Sequence, residues 1–600
     1  MREFSLPALY EVPADGNLTD IVRRNAAQHP DVAVIARKVN GTWQDIDAKA
    51  FLAEVTAAAK GLIASGVQPG DRVGLMSRTR YEWTLLDFAI WSAGAVTVPV
   101  YETSSPEQIQ WILDDSGAVA CFVELDTHAK AVASVREQLP ALRDVWQIES
   151  EAGEGLDELR TAGAGVSDAT VEERSAVAKA DDPATIVYTS GTTGRPKGCV
   201  LTHRSFFAEC GNVVERLRPL FRTGECSVLL FLPLAHVFGR LVQIAPMMAP
   251  IKLGHVPDIK NLTDELAAYR PTLILGVPRV FEKVYNSARA KAQAEGKGKI
   301  FDKAADTAIA YSRALDAPSG PSLGLRLKHK LFDKLVFSKL RTVLGGRGEY
   351  AISGGAPLGE RLGHFFRGIG FTVLEGYGLT ESCAATAFNP WDRQKIGTVG
   401  QPLPGSVVRI ADDGEVLLHG EHLFAGYWNN EGATAEALED GWFHTGDIGT
   451  LDEDGYLAIT GRKKELIVTA GGKNVAPAVI EDRIRAHALV AECMVVGDGR
   501  PFVAALVTLD EEFLGRWAAE NGKSSAEVAK LREDADLLAA IQQAVDDGNA
   551  AVSKAESVRK FRILGAQFTE DSGHLTPSLK LKRSVVAKDF ADEIEALYRK

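Results

Sequence analysis

The chain has 600 residues, 46% hydrophobic and 24% charged, with a formal net charge of −13. That length is too great for one hydrophobic core and predicts at least two domains. The acidic balance excludes a nucleic-acid binder that works by neutralising phosphates, and any polyanionic ligand must be held by local positive potential. The cysteines, at positions 121, 199, 210, 226, 383 and 493, form no pair at metal-ligand spacing and read as thiols of a reducing compartment. Glu3 and Pro7 stand where a signal peptide needs an apolar run. No apolar stretch approaches the ~20 residues of a membrane span, so the expected location is the cytoplasm.

Phe51, Val55, Ala58, Ala59 and Leu62 keep helical spacing. Arg72 to Met76 reads as a strand, Trp83 to Trp91 as a helix and Ala95 to Val100 as a strand. This alternation over residues 1–180 predicts an α/β fold of parallel sheets covered by helices. A further strand candidate, Thr185-Ile186-Val187, leads into Tyr188-Thr189-Ser190-Gly191-Thr192-Thr193-Gly194-Arg195-Pro196-Lys197-Gly198. A helix with Phe206, Phe207, Cys210, Val213, Val214 and Leu217 on its apolar face follows, so the segment is expected as a strand-to-helix turn. Its glycines let backbone N–H groups curl inward, and its hydroxyls and Lys197 supply donors for phosphate oxygens. It is not a Walker A loop, which needs Gly before the lysine and Ser or Thr after it; here Pro196 and Gly198 stand there.

Residues 325–341 mix Arg326, Lys328, Lys330, Lys334, Lys339 and Arg341 with leucines and Phe332, which fits either a face for anionic lipid or a basic helix packed on its own domain. A domain boundary is expected within Gly461-Arg462-Lys463-Lys464-Glu465-Leu466. Beyond it, Cys493 to Val496 and Phe502 to Leu509 read as a hairpin, and Val585, Val586, Phe590, Ile594 and Leu597 as one terminal amphipathic helix.

The segment at 188–198 resembles the signature loop of the adenylate-forming (AMP-binding) superfamily, and the resemblance continues in order along most of the chain. Ser353-Gly354-Gly355-Ala356-Pro357 and Glu375-Gly376-Tyr377-Gly378-Leu379-Thr380-Glu381 look like that family's adenine-pocket strings. Phe443-His444-Thr445-Gly446-Asp447 resembles its Tyr-Arg-Thr-Gly-Asp string, with Phe and His in the first two places. The resemblance implies a large N-terminal domain over 1–461, a hinge at 462–466 turning on Lys464, and a small mobile α+β domain over 467–600. It implies that Thr189 to Gly194 and Lys197 cradle the phosphates of ATP, that Thr380 contacts the α-phosphate, and that Glu381 with Thr189 holds Mg²⁺. Gly354, Gly355, Ala356, Glu375, Gly376, Tyr377 and Gly378 would border the adenine, while Asp447 and Arg462 would hold the ribose. His236 would lie beside the acyl carboxylate. Gly471, Gly472, Lys473 and Asn474 would serve the coenzyme A step.

Leu575-Thr576-Pro577-Ser578-Leu579-Lys580 resembles the string carrying the family's catalytic lysine, with Leu579 where many members have Gly; spacing favours Lys580 over Lys582. The likeness is greatest to bacterial long-chain fatty-acid–CoA ligases, implying that a fatty acid, ATP and coenzyme A are the partners, with peripheral membrane contact as a further option. Two other readings stand beside it: a fatty acyl-AMP ligase that hands the adenylate to a carrier protein, and a non-catalytic lipid-binding relative. Acyl chain length and oligomeric state are not legible in the sequence, since the first depends on pocket depth.

Overall fold

The computed structural model describes residues 1–149, 155–189, 195–576 and 580–599. The expected alternation is present as helix Ala48–Ala64, strand Arg72–Met76, helix Tyr81–Ser92 and strand Val96–Val100. Asp47 opens the first helix by accepting the Ala50 amide at 2.7 Å. The two strands pair in parallel within a seven-stranded sheet that also holds Pro183–Thr189 and Lys197–Thr202. In a nine-stranded sheet, the neighbours Ser227–Leu230, Leu273–Gly276, Tyr350–Ser353 and Thr372–Tyr377 run parallel. Helix Tyr81–Ser92 is buried at every position and touches strands of both sheets. A third, antiparallel sheet contains Trp442–Leu451 and Leu457–Arg462.

Beyond Arg462 the chain builds a smaller unit around its own core of Ile480, Ile484, Val507, Leu537 and Ile541. Its expected hairpin is Val490–Val496 against Val503–Leu509, extended in parallel by Val558–Ile563. The molecule is thus α/β, with a large N-terminal domain of helix-covered sheets and a smaller C-terminal domain. Among the described residues no helix is long and apolar enough to cross a membrane. All six cysteines are free and buried.

Two expectations are corrected. The segment at 188–198 does not run directly into a helix, because strand Lys197–Thr202 intervenes and pairs antiparallel with Pro183–Thr189. Cys199, Val200 and Leu201 are buried, and pairing satisfies backbone that a plain turn would leave unbonded. The terminal amphipathic stretch is two helices, Arg583–Asp589 and Ala591–Tyr598, broken at Phe590. The Phe590 ring packs against both His574 and Phe568, and the break lets Val586 and Leu597 reach the same core.

Candidate active site

A cleft of about 2960 Å³ separates the two domains, and side chains from all three large-domain sheets and from the small domain line it. At one wall, Thr189 and Lys197 face each other across the hairpin. The shoulder is pinned from outside: the Trp111 indole donates to Pro196 O at 2.8 Å, and the Trp428 amide to Gly198 O at 2.7 Å. The Lys197 ammonium lies 4.1 Å from the centroid of the Tyr427 ring. Ser190, Gly191, Thr192, Thr193 and Gly194 lie outside the described residues.

The second wall comes from the carboxyl ends of the parallel strands Tyr350–Ser353 and Thr372–Tyr377, where open α/β sheets place ligands. Gly355 takes a left-handed φ of 85° and, with Ala356, lines the cleft. Gly354 packs against the Phe238 ring, where a Cβ would sit 3.4 Å away. Glu375 accepts the Leu358 amide at 2.9 Å, and burial pushes its carboxyl up to about 7. Gly378 is obligatory, because a Cβ there would lie 1.7 Å from the Ala384 carbonyl oxygen. Just beyond, Thr380 and Glu381 form a short 3₁₀ turn at the cleft edge. The Tyr427 hydroxyl donates to Glu381 Oε1 at 2.7 Å.

Asp447 and Arg462 are partners across an antiparallel ladder. The Asp447 carboxylate accepts Arg462 Nε at 2.9 Å and the Tyr377 hydroxyl at 2.6 Å, so three sequence-distant groups share one set of bonds. His236 caps helix Val237–Met248 by accepting the Phe238 amide at Nδ1, 3.2 Å away. A neutral ring that accepts at Nδ1 carries its proton on Nε2. Burial first, and the Lys580 charge second, push this imidazole down to about 3.

The Lys580 amide, in the small domain, donates to Thr576 Oγ1 at 3.0 Å. Burial and the Arg462 guanidinium push its ammonium down, against the pull of Asp447 and Glu381. Lys580 lines the same cleft as Asp447, Arg462, Glu381 and His236, although 344 positions separate it from His236. Lys582 also lines the cleft.

The exposed turn Gly471–Asn474 does not join this group, and no residue of it lines the cleft. Its Lys473 instead pairs with Glu556 of the same domain at 3.4 Å. Lys464 is exposed within the 3₁₀ turn Lys463–Glu465 that links the domains. Tyr427, which contacts both Lys197 and Glu381, was not found by motif reading, since it lies on a two-residue strand with no local signature. The buried Asp87–Arg240 ion pair, at 3.0 Å, was missed because its partners meet only when two helices pack; it ties helix Tyr81–Ser92 to the helix that His236 caps.

The AMP-binding enzyme model matches residues 22–428, and the model of the AMP-binding enzyme C-terminal domain matches 464–600. The chain is 52% identical over 601 residues to the long-chain-fatty-acid–CoA ligase FadD15 of Mycobacterium bovis, covering 100% of both chains. It is 32% identical to the peroxisomal long chain acyl-CoA synthetase 7 of Arabidopsis thaliana, covering 91% of this chain and 80% of that one. Among solved structures, the anthranilate CoA ligase AuaEII in complex with anthranoyl-AMP is 19% identical with a TM-score of 0.71, over 98% of this chain and 99% of that one.

Proposed function

This chain belongs to the AMP-binding enzyme family, and from that premise we propose that it joins a long-chain fatty acid to coenzyme A through an acyl-adenylate. A carboxylate oxygen attacks the α-phosphorus of ATP, the bond to the bridging oxygen breaks, and pyrophosphate leaves. The coenzyme A thiol then loses its proton and attacks the acyl carbonyl, expelling AMP. The observation that carries the site assignment is that Lys580, His236, Asp447, Arg462 and Glu381 all line one cleft.

In this reading Lys580 offsets repulsion between the carboxylate and the α-phosphate. His236 is neutral and donates from Nε2 to the acyl carboxylate. Lys197, Thr189 and the segment 190–194 hold the phosphates, and Thr380 meets the α-phosphate. Gly354 to Ala356 and Glu375 to Gly378 border the base, and Asp447 and Arg462 take the ribose hydroxyls. The acyl chain runs between helices Pro278–Ala294 and Gly298–Asp316, whose Val280, Ala305 and Ile309 line the cleft.

Glu381 and Thr189 are hard oxygen donors suited to Mg²⁺, and one oxygen of Glu381 is already oriented by Tyr427. Among the described residues no group of three or more His, Cys, Asp or Glu could hold a metal, so the nucleotide phosphates would complete the coordination. Bound there, Mg²⁺ would neutralise charge on the departing pyrophosphate.

The domains divide at 461 and 467, with Lys464 the pivot, and Gly471 to Asn474 enters the cleft for the thioester step. The free, buried thiols suit a cytoplasmic setting.

An acid panel tests the activity, scored by both pyrophosphate and acyl-CoA formation. Acids of roughly C12 to C18 are expected to exceed acetate by orders of magnitude in kcat/KM, since each buried CH₂ contributes ~0.8 kcal/mol. Equal activity with acetate refutes the fatty-acid assignment. Pyrophosphate without thioester would instead mark an acyl-AMP ligase.

A further inference from the structure

Helix Leu323–Phe332 continues through a π-helical turn, Asp333–Phe337, into helix Ser338–Val343. The wider π turn lets Phe332 and Phe337, five residues apart, both face the core. On the outer side, Leu323, Leu327, Leu331 and Leu335 recur every four residues and are 80%, 71%, 57% and 49% exposed. A domain that needs this segment only for packing has no use for four leucines in water.

The charge around the stripe is one-sided. Arg326, Lys328, Lys330, Lys334 and Lys339 are all exposed. From residue 317 to 348 the single acid is Asp333, and Arg341 holds its carboxylate at 2.7 Å. This cationic, leucine-bearing face belongs to a chain of net charge −13. Leucines flanked by lysines whose stems can lie along an apolar surface form the pattern of a helix in a lipid interface.

We propose that this face docks on an anionic lipid bilayer. A second copy is the poorer occupant, because a two-fold contact would set one cationic face against another. The docked face is one helix from the cleft. Helix Gly298–Asp316 lines the cleft through Ala305 and Ile309, and its Tyr311 ring stacks on His329 at 3.9 Å. An acid dissolved in the bilayer would therefore arrive beside the helix pair assigned to the acyl chain. That delivery rests on the ligase reading; the docking does not.

The test is flotation with vesicles of phosphatidylcholine alone or mixed with phosphatidylglycerol. Wild-type protein is expected to float with the mixed vesicles, less so as salt rises, and to stay behind with phosphatidylcholine alone. Leu327→Glu with Leu331→Glu, and separately Lys328→Glu with Lys334→Glu, should each lower binding by roughly tenfold or more. None of these four residues lines the cleft, so both variants should keep the wild-type melting temperature and acyl-CoA formation from a dissolved medium-chain acid. Absence of wild-type flotation, or undiminished flotation of the leucine variant, overturns the proposal. So does a lower solution mass of the leucine variant by light scattering, which would assign the face to a second copy. Vesicle binding without ligase activity in the wild type would strike the ligase reading alone.

Discussion

Glu375 is 9% exposed, with one oxygen bound to the Leu358 amide and burial raising its carboxyl from 4.5 to about 7. Between those values the folded chain holds a proton that the unfolded chain has released. Stability is therefore full below 4.5 and falls as pH rises through 7, by on the order of 3 kcal/mol for this group. Glu375→Gln keeps an acceptor for Leu358 and cannot ionise. Its urea midpoint should match wild type near pH 4.5 and exceed it by a growing margin up to pH 8; parallel midpoint curves would show an ordinary carboxyl. His236 has the opposite sign. Its imidazole is lowered to about 3, so it stays neutral at physiological pH and suits hydrogen bonding better than proton donation. Motif reading could find both residues but not these states, because burial decides them.

The turn that carries Thr380 and Glu381 is set by Gly378, packed against the Ala384 carbonyl. Gly378→Ala must displace backbone on one side or the other, at about 1–3 kcal/mol. Because the displaced segment bears Thr380 and Glu381, adenylation should fall at least tenfold while the melting temperature drops; a variant with wild-type kinetics would free the turn from any positioning role. Elements with strong periodicity were legible: Arg72 to Met76 as a strand, the helix over Phe51 to Leu62, and the hairpin after Glu492. Strand Lys197–Thr202 was not, since it is one six-residue run between a glycine-rich loop and a capped helix, and its partner Pro183–Thr189 settles it. The break at Phe590 was equally hidden, because the aromatic that ends one helix sits on the periodic face of both. The order of the site motifs was readable, whereas Tyr427 joins the site only through sheet pairing with Lys197–Thr202.

Among the described residues, polar side-chain contacts join the small domain to the large one at two places. The Thr103 hydroxyl donates to Glu570 at 2.6 Å, and Arg279 meets Glu492 at 3.3 Å. A pair with one exposed partner, as Arg279 is here, contributes about 0–1 kcal/mol, little enough for a swinging domain to exchange it. In this orientation Lys580 lines the cleft with Glu381, Asp447 and Arg462, and Gly471 to Asn474 lies outside it. The proposed two steps then divide between two lysines. Lys580→Ala should cut acyl-AMP formation by about 10²–10³, the loss typical of one charge-stabilising group, yet convert supplied acyl-AMP and coenzyme A to thioester within a few-fold of wild type. Lys464 occupies a 3₁₀ turn, where the fixed φ of proline fits. Lys464→Pro should hold the present orientation, keep adenylation and lose thioester formation, because a pivot residue must change its backbone angles for the domain to turn. Each half-reaction is measured separately in both folded variants. Equal loss of both steps in Lys580→Ala would end this division of labour and return the search to Lys582, two positions on and also on the cleft wall.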